Sequence, residues 1–240
     1  MRYIYLVRHA MPHFPDGEKY CIGQSDFPLG KEGRLQAKLL KYGAKEIFSG
    51  KEIFCSRLSR ARETAEILCD FPSVIDGLEE MHAGLWDGLS FKEIEKEWPE
   101  VFAKRDGNKN IPIPGAEDME KGLQRFIDGV YRCLDKSEGD IVIVAHSTVI
   151  QAFLSYCANT ELDECRNYKL SYCSVSKVSF DGRFHLEYYG NNPPLSYSTE
   201  LYRELIDESG GDLPGLLSLL EKLEQYELAS QIDTYNKSGQ

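Results

Sequence analysis

Three short apolar runs constrain this chain more than any other feature of its sequence. Tyr3–Val7 stops at Arg8-His9, Glu52–Cys55 stops at Ser56-Arg57, and Asp140–Ala145 stops at His146-Ser147. Runs this short, rich in β-branched residues and broken by charged or hydroxyl pairs, read as buried strands feeding loops. Helical spacing follows them at about 31–42 (Leu35, Leu39, Leu40), 59–69 (Ala61, Ala65, Leu68) and 148–157, and precedes the third run at about 117–136 (Phe126, Ile127, Val130, Leu134). Strands that alternate with helices imply an open, mostly parallel sheet with helices on both faces, a three-layer α/β/α architecture. In such sheets ligands gather at the carboxyl ends of the strands. If the three strands are neighbours, two histidines and several arginines converge on one crevice.

The remaining segments fit around that frame. Ala10–Gly30 carries Pro12, Pro15, Gly17, Gly23 and Pro28, too many breakers for a regular element. Val74-Ile75 reads as a brief edge strand, 77–90 as a loop and 91–98 as a short helix. Segments 11–22 and 100–115 read as the loops that set pocket specificity. Asp181-Gly182 between 174–180 and 184–189 is a hairpin signal. Pro193-Pro194 closes a body of residues 1–194, and 195–240 reads as an acidic helical C-terminal extension. Its Leu213, Leu216, Leu217, Leu220 and Leu223 recur at helical spacing and are expected to dock on the body.

Net charge is −11, from 28 basic and 39 acidic residues. An acidic chain with no basic cluster argues against nucleic acid, whose binding rests on neutralised phosphates, and against an anionic membrane surface. The extension holds nine acids and three bases, so the body is only mildly acidic. No run nears the roughly 18 apolar residues that span a bilayer, and the first residues lack a signal-peptide pattern. Seven cysteines without a C-x-x-C suit reduced thiols in the cytoplasm. Oligomeric state is not legible, and a homodimer stays open.

Two histidines beside arginines suit an anion with several oxygens: Arg offers charged planar forks, and imidazole a donor or a nucleophile. Other phosphate-handling signatures are absent. The chain has no G-x-x-x-x-G-K-[ST], no G-x-G-x-x-G after a strand, no Cys with Arg six positions on, and no D-x-D-x-T or H-E-x-x-H. By elimination the nucleophile would be a histidine working without a metal.

These residues bear a family resemblance. Leu6-Val7-Arg8-His9 resembles the R-H-G signature of the histidine phosphatase (phosphoglycerate mutase-like) superfamily. Gly23 to Leu29, with Gly33 and Gln36-Ala37, is similar to its G-x-x-D-x-P-L-x-x-x-G-x-x-Q-A stretch. Ser56-Arg57-Leu58-Ser59-Arg60-Ala61 with Thr64-Ala65 is similar to S-x-L-x-R-A-x-x-T-A, and Leu78-Glu79-Glu80 with Gly84, Trp86 and Gly88 to L-x-E-x-x-x-G-x-W-x-G. Val144-Ala145-His146-Ser147 stands at the second H-G. The chain departs from the pattern at Ala10, Met11-Pro12, Ser147 and Thr148.

The resemblance implies a phosphomonoesterase with no cofactor and a small phosphorylated metabolite as partner, a sugar or nucleoside phosphate such as α-ribazole phosphate. It implies that His9 is the nucleophile, that Arg8, Arg60 and His146 clamp the phosphoryl oxygens, and that Glu80 is the general acid and base. Arg57, Ser56, His13 and Gln24 are weaker substrate-binding candidates, with Arg57 at the mouth and Arg62 behind them. His82, His185 and Trp86 read as peripheral or packing residues. A phosphoglycerate mutase is the runner-up, set back by the 66-position spacing from Glu80 to His146 and by Glu80-Met81-His82-Ala83-Gly84 in place of the mutases' E-R-H-Y-G. A phosphate-binding adaptor or pseudo-enzyme is the alternative from another class.

Overall fold

In the computed structural model, residues 1–107, 111–192, 199–223, 225 and 232 are described. The boundary expected at Pro193-Pro194 and the tail residues Glu224, Glu227, Asp233 and Lys237 lie outside them.

The first strand, β1 (Arg2–Arg8), precedes the breaker-rich segment and α1 (Lys31–Gly43). A one-turn helix, α2 (Lys45–Phe48), leads into β2 (Glu52–Cys55), α3 (Ser59–Leu68) and a two-residue β3 (Ser73–Val74). Two short helices, α4 (Phe91–Glu97) and α5 (Pro99–Gly107), come before the long α6 (Met119–Lys136). Then follow β4 (Ile141–Ala145), α7 (Ser147–Ala158), β5 (Val175–Phe180) and β6 (Phe184–Asn191). Two last helices, α8 (Thr199–Glu208) and α9 (Leu213–Lys222), belong to the extension.

The six strands form one sheet in the order β3-β2-β4-β1-β5-β6. The first four run parallel, and β5 and β6 are antiparallel at one edge. The mostly parallel sheet expected from the alternation is therefore present, and the three strands that end in functional residues are consecutive. β4 is buried at every residue because helices cover both its faces. One apolar layer joins the sheet to α6 and α7 through Phe126, Ile127, Val130, Ile150 and Phe153. The other joins it to α1 and α3 through Ala37, Leu40, Ala61, Ala65 and Leu68.

Most expected boundaries fall within two residues of those found. The exception is the region expected as a loop from 100 to 115: its first part is α5. Pro99 at the helix start and the acid-first, base-last order of Glu100, Lys104 and Arg105 suit a helix, but nine residues give too little periodicity to show it. The long helix starts at Met119 rather than 117 because the Asp118 carboxylate caps it, accepting from Glu120 N and Lys121 N at 3.1 Å. Among the described residues no helix is long and apolar enough to cross a membrane.

Candidate active site

Sheet register builds the site. Arg8 of β1 stands opposite Ala145 of β4, so the next residue on each strand, His9 and His146, emerges at the same height. The His9 N–H still donates to Ala145 O at 2.9 Å, and the two rings lie 5.1 Å apart between centroids. On the other flank β2 stays in step, with Ser56 N donating to Val144 O at 3.1 Å. Two turns that look unrelated in sequence are thus fixed to one point by backbone hydrogen bonds.

His9 is buried and its Nδ1 lies 2.7 Å from Ala10 O. That carbonyl can only accept, so Nδ1 carries the proton and Nε2 keeps its lone pair. Burial, then the charges of Arg60 and Arg8, hold His9 well below the usual imidazole range, against the weaker pull of the Ala10 carbonyl. His146 is held well below that range too, by burial and by Arg60, His9 and Arg8. Both rings are neutral near pH 7.

The two arginines are anchored by their outer nitrogens. Arg8 donates from Nη1 to Leu170 O at 2.5 Å, and its guanidinium stacks 3.9 Å over the Tyr172 ring. Arg60, completely buried, donates from Nη1 to Ser25 O at 2.9 Å and from Nη2 to Gly23 O at 2.6 Å. The inner nitrogens have no such use. Arg8 Nε, Arg60 Nε and both ring nitrogens of His146 are buried with no hydrogen-bond partner. Buried polar atoms are almost always satisfied in folded proteins, so this cluster of orphaned nitrogens is a candidate place for a ligand's polar atoms.

Glu80 is set against the first turn of α7. Its Oε2 accepts from Thr148 N at 2.9 Å, and its Oε1 from Val149 N at 3.1 Å and Met81 N at 2.9 Å. The positive end of the α7 dipole and two free N–H groups account for that position. Glu79 points elsewhere. It pairs with Arg57 Nε at 3.0 Å, accepts from Gly77 N at 2.8 Å and lies 3.5 Å from Arg125 Nη1. Of the two adjacent carboxylates, Glu80 is the one that lies beside His146 at the start of α7.

The weaker candidates separate cleanly. Gln24 borders the site, its Nε2 donating to Glu80 O at 3.2 Å. Arg57 does not add free charge at the mouth, because Glu79 neutralises it. The buried Ser56 hydroxyl accepts from Leu58 N at 3.3 Å and shapes the turn into α3. His13 is exposed beside Gly30 at the start of α1. Arg62 pairs with Glu66 on the outside of α3. Ala10 is buried and its φ is not in the left-handed region, so alanine in place of the signature glycine carries no strain there.

Three residues that the sequence reading passed over support the site. Tyr172 sits between Arg8 and His9, with its ring 5.7 Å from that of His9. Asp87, the variable position of the G-x-W-x-G stretch, accepts from Gly23 N, Gln24 N and Ser25 N at 2.8–3.1 Å. Those are the turns whose carbonyls hold Arg60. Burial alone would raise the Asp87 carboxyl, but these donors and the Ser25 hydroxyl outweigh it and hold it below the usual range. Arg125 of α6 ties together Gly77 O, Glu79 O, Glu80 O and the Glu117 carboxylate at 2.8–3.3 Å. None could be found from motif spacing alone; in Asp87 the signal was an acid among backbone donors, visible only after folding. Among the described residues no group of three or more His, Cys, Asp or Glu side chains is placed to hold a metal ion.

Residues 4–192 match the histidine phosphatase superfamily, branch 1. The chain belongs to the histidine phosphatase superfamily. This histidine phosphatase is 31% identical over 182 residues to a 6-phosphofructo-2-kinase/fructose-2,6-bisphosphatase of Arabidopsis thaliana, covering 74% of this chain and 24% of that protein. It is 29% identical over 188 residues to a protein of Shigella boydii named probable phosphoglycerate mutase GpmB, covering 75% of this chain and 86% of that one. Among solved structures it superposes on Bacillus stearothermophilus YhfR with a TM-score of 0.71 and 27% identity, over 80% of this chain and 98% of the other. The family match ends at residue 192, before α8 and α9 begin.

Proposed function

We propose that this histidine phosphatase hydrolyses a small-molecule phosphomonoester through a phosphohistidine at His9. The observation that carries the reading is the set of orphaned nitrogens on Arg8, Arg60 and His146, gathered around a histidine whose Nε2 holds a lone pair. A phosphoryl group has three non-bridging oxygens to offer such a set. The names of the relatives, a bisphosphatase and a phosphoglycerate mutase, support phosphoryl chemistry at this fold.

The first step would form a bond from His9 Nε2 to phosphorus and break the phosphorus–oxygen bond to the alcohol. Glu80, carrying a proton, hands it to the departing oxygen. Arg8, Arg60 and His146 donate to the phosphoryl oxygens as their charge spreads in the transition state. In the second step a water gives its proton to Glu80 and attacks phosphorus, the nitrogen–phosphorus bond breaks, and phosphate leaves. His9 is neutral again and Glu80 protonated, so the cycle closes.

Incubation with labelled substrate followed by a rapid quench in alkaline detergent is expected to trap a phosphoenzyme whose label survives base and is lost in acid. His9→Ala should abolish both the trapped label and turnover of p-nitrophenyl phosphate. Full activity in that variant would overturn the reading. A coupled assay for interconversion of 2- and 3-phosphoglycerate separates hydrolysis from the mutase reaction. An adaptor would bind phosphate without turning over any ester.

A further inference from the structure

The lone pair on His9 Nε2 depends on the orientation of one peptide plane, and that plane is gripped from α1. His9 Nδ1 lies 2.7 Å from Ala10 O, and this carbonyl shares a planar unit with the Met11 N–H. Among the described residues no peptide bond is cis, so the carbonyl and the N–H of this unit point to opposite sides. The Met11 N–H donates to Gln36 Oε1 at 3.0 Å, a contact that reaches 25 positions along the chain. A backbone N–H can only donate, so the Gln36 amide must turn its oxygen toward Met11. A carbonyl facing His9 and an N–H facing α1 are therefore fixed together.

The groups on either side of this plane are tied down as well. Ala10 N donates to Thr64 Oγ1 at 3.0 Å, and that hydroxyl gives its own proton to Arg60 O at 2.6 Å. Met11 O accepts from Gly30 N at 3.4 Å, just before α1 begins. Gly33, whose missing side chain lets α1 approach Met11 O, lies three positions before Gln36 on the same face of the helix.

Loss of the Gln36 oxygen has a definite consequence. The part-buried Met11 N–H would be left without its acceptor, a state that folded proteins avoid. Turning the peptide plane over would offer that N–H to the Nδ1 lone pair of His9 instead. The ring would then give up its proton to water at Nδ1 and take one at Nε2, where the lone pair that attacks phosphorus had been. With Gln36 in place the N–H is already satisfied in the productive orientation.

We propose that Gln36 is a positioning residue for phosphoryl transfer: by accepting from Met11 N–H it holds the Ala10 carbonyl on His9 Nδ1 and keeps Nε2 free to attack. The inference rests on the reading of His9 as the nucleophile.

The tautomer can be read directly and apart from turnover. The full chain, labelled with nitrogen-15 in its histidine rings, is recorded at neutral pH by two-bond proton–nitrogen correlation, with His9→Asn used to assign the His9 signals. In the wild type the ring proton is expected on Nδ1. Gln36→Met keeps the length and helix propensity of the side chain and lacks only the amide. It should move at least part of the proton to Nε2 and lower kcat/KM for p-nitrophenyl phosphate by about tenfold. Its affinity for inorganic phosphate by calorimetry, set by Arg8, Arg60 and His146, should stay within about twofold of wild type. Gln36→Glu, whose carboxylate can still accept from Met11 N–H, should restore both the tautomer and most of the rate. A ring proton on Nε2 in the wild type, or an unchanged tautomer in Gln36→Met, would overturn the proposal. If Gln36→Met does not fold, Gln36→Leu takes its place in the same measurements. Failure to trap a phosphoenzyme in the wild type would count against the phosphatase reading itself, whatever tautomer His9 shows.

Discussion

Adjacent carboxylates do different work in this site because backbone geometry turns them in opposite directions. Glu80 faces the α7 amides beside His146, while Glu79 is spent on Arg57 and Arg125. Glu80→Gln is therefore expected to lower kcat by about 10²–10⁴ on alkyl phosphates, whose alkoxide needs a proton, and much less on p-nitrophenyl phosphate. Glu79→Gln should lower the melting temperature and show no such dependence on the leaving group. A pH prediction follows from the buried rings. His9 and His146 sit well below the usual imidazole range when folded, whereas the unfolded chain takes up those protons near pH 6.5. Below that pH the unfolded state binds more protons, so stability falls on acidification, by up to about 1.4 kcal/mol per group per pH unit until the folded ring titrates. Melting curves from pH 7.5 to 5 should fall accordingly, and less steeply in His146→Asn. An unchanged slope in that variant would count against a neutral buried His146. Both histidines and Arg60 were legible in the sequence because each sits in a multi-residue motif; Tyr172, Asp87 and Arg125 were not, since their contacts with the site span 45–164 positions of the chain.

At the scale of elements, strands and their ends were the most legible part of the fold. A run such as Asp140–Ala145 has only one use in a sheet buried on both faces, and hydrogen-bonded register does the rest. The helix hidden in 99–107 and the antiparallel turn into β5 were less so. That turn passes through Cys173, a non-glycine residue at φ 60°, whose N–H donates to Arg8 O at 3.0 Å. Tyr172, the residue before it, stacks on the Arg8 guanidinium. A close approach explains another motif position: a Cβ on Gly33 would stand 2.0 Å from Met11 O, so α1 can pack against the loop after His9 only through glycine. The segment 23–25 depends on Asp87 in the same structural sense. Asp87→Ala would leave three backbone donors without their acceptor, at about 1–3 kcal/mol, and would loosen the carbonyls that hold Arg60. Inorganic phosphate is expected to bind about tenfold more weakly to this variant by calorimetry. Unchanged affinity would mean that Arg60 is positioned without the loop.

At the scale of the whole molecule, the acidic surplus and the cationic pocket belong to different parts of the chain. The extension beyond the family match pairs with the outer side of α1 through charges of both signs: its Glu204 and Glu208 meet Lys38, and its Lys222 meets Glu32. Between these pairs an apolar seam forms from Leu35 and Leu39 of α1 with Leu201, Leu205, Leu216 and Leu220. The leucine stripe of the tail is thus docked on the body, as its spacing implied. Leu35 and Leu39 are nearly completely buried in this seam against the leucines of the extension. Burying such a leucine is worth about 1.5–3 kcal/mol, and surface ion pairs add little, so the seam rather than the charges holds the extension. We therefore expect a chain ending at residue 192 to self-associate through the bared face of α1 and to lose several degrees of melting temperature. The same truncation carrying Leu35→Gln and Leu39→Gln should return to the assembly state of the full chain in sedimentation. Its turnover of p-nitrophenyl phosphate should stay within about threefold of the full chain, because Arg8, Arg60, His146 and the Glu80 carboxylate are held by β1, α3, α6 and α7. A loss of turnover well beyond that, in a truncated protein that remains folded, would make the extension a part of the active site.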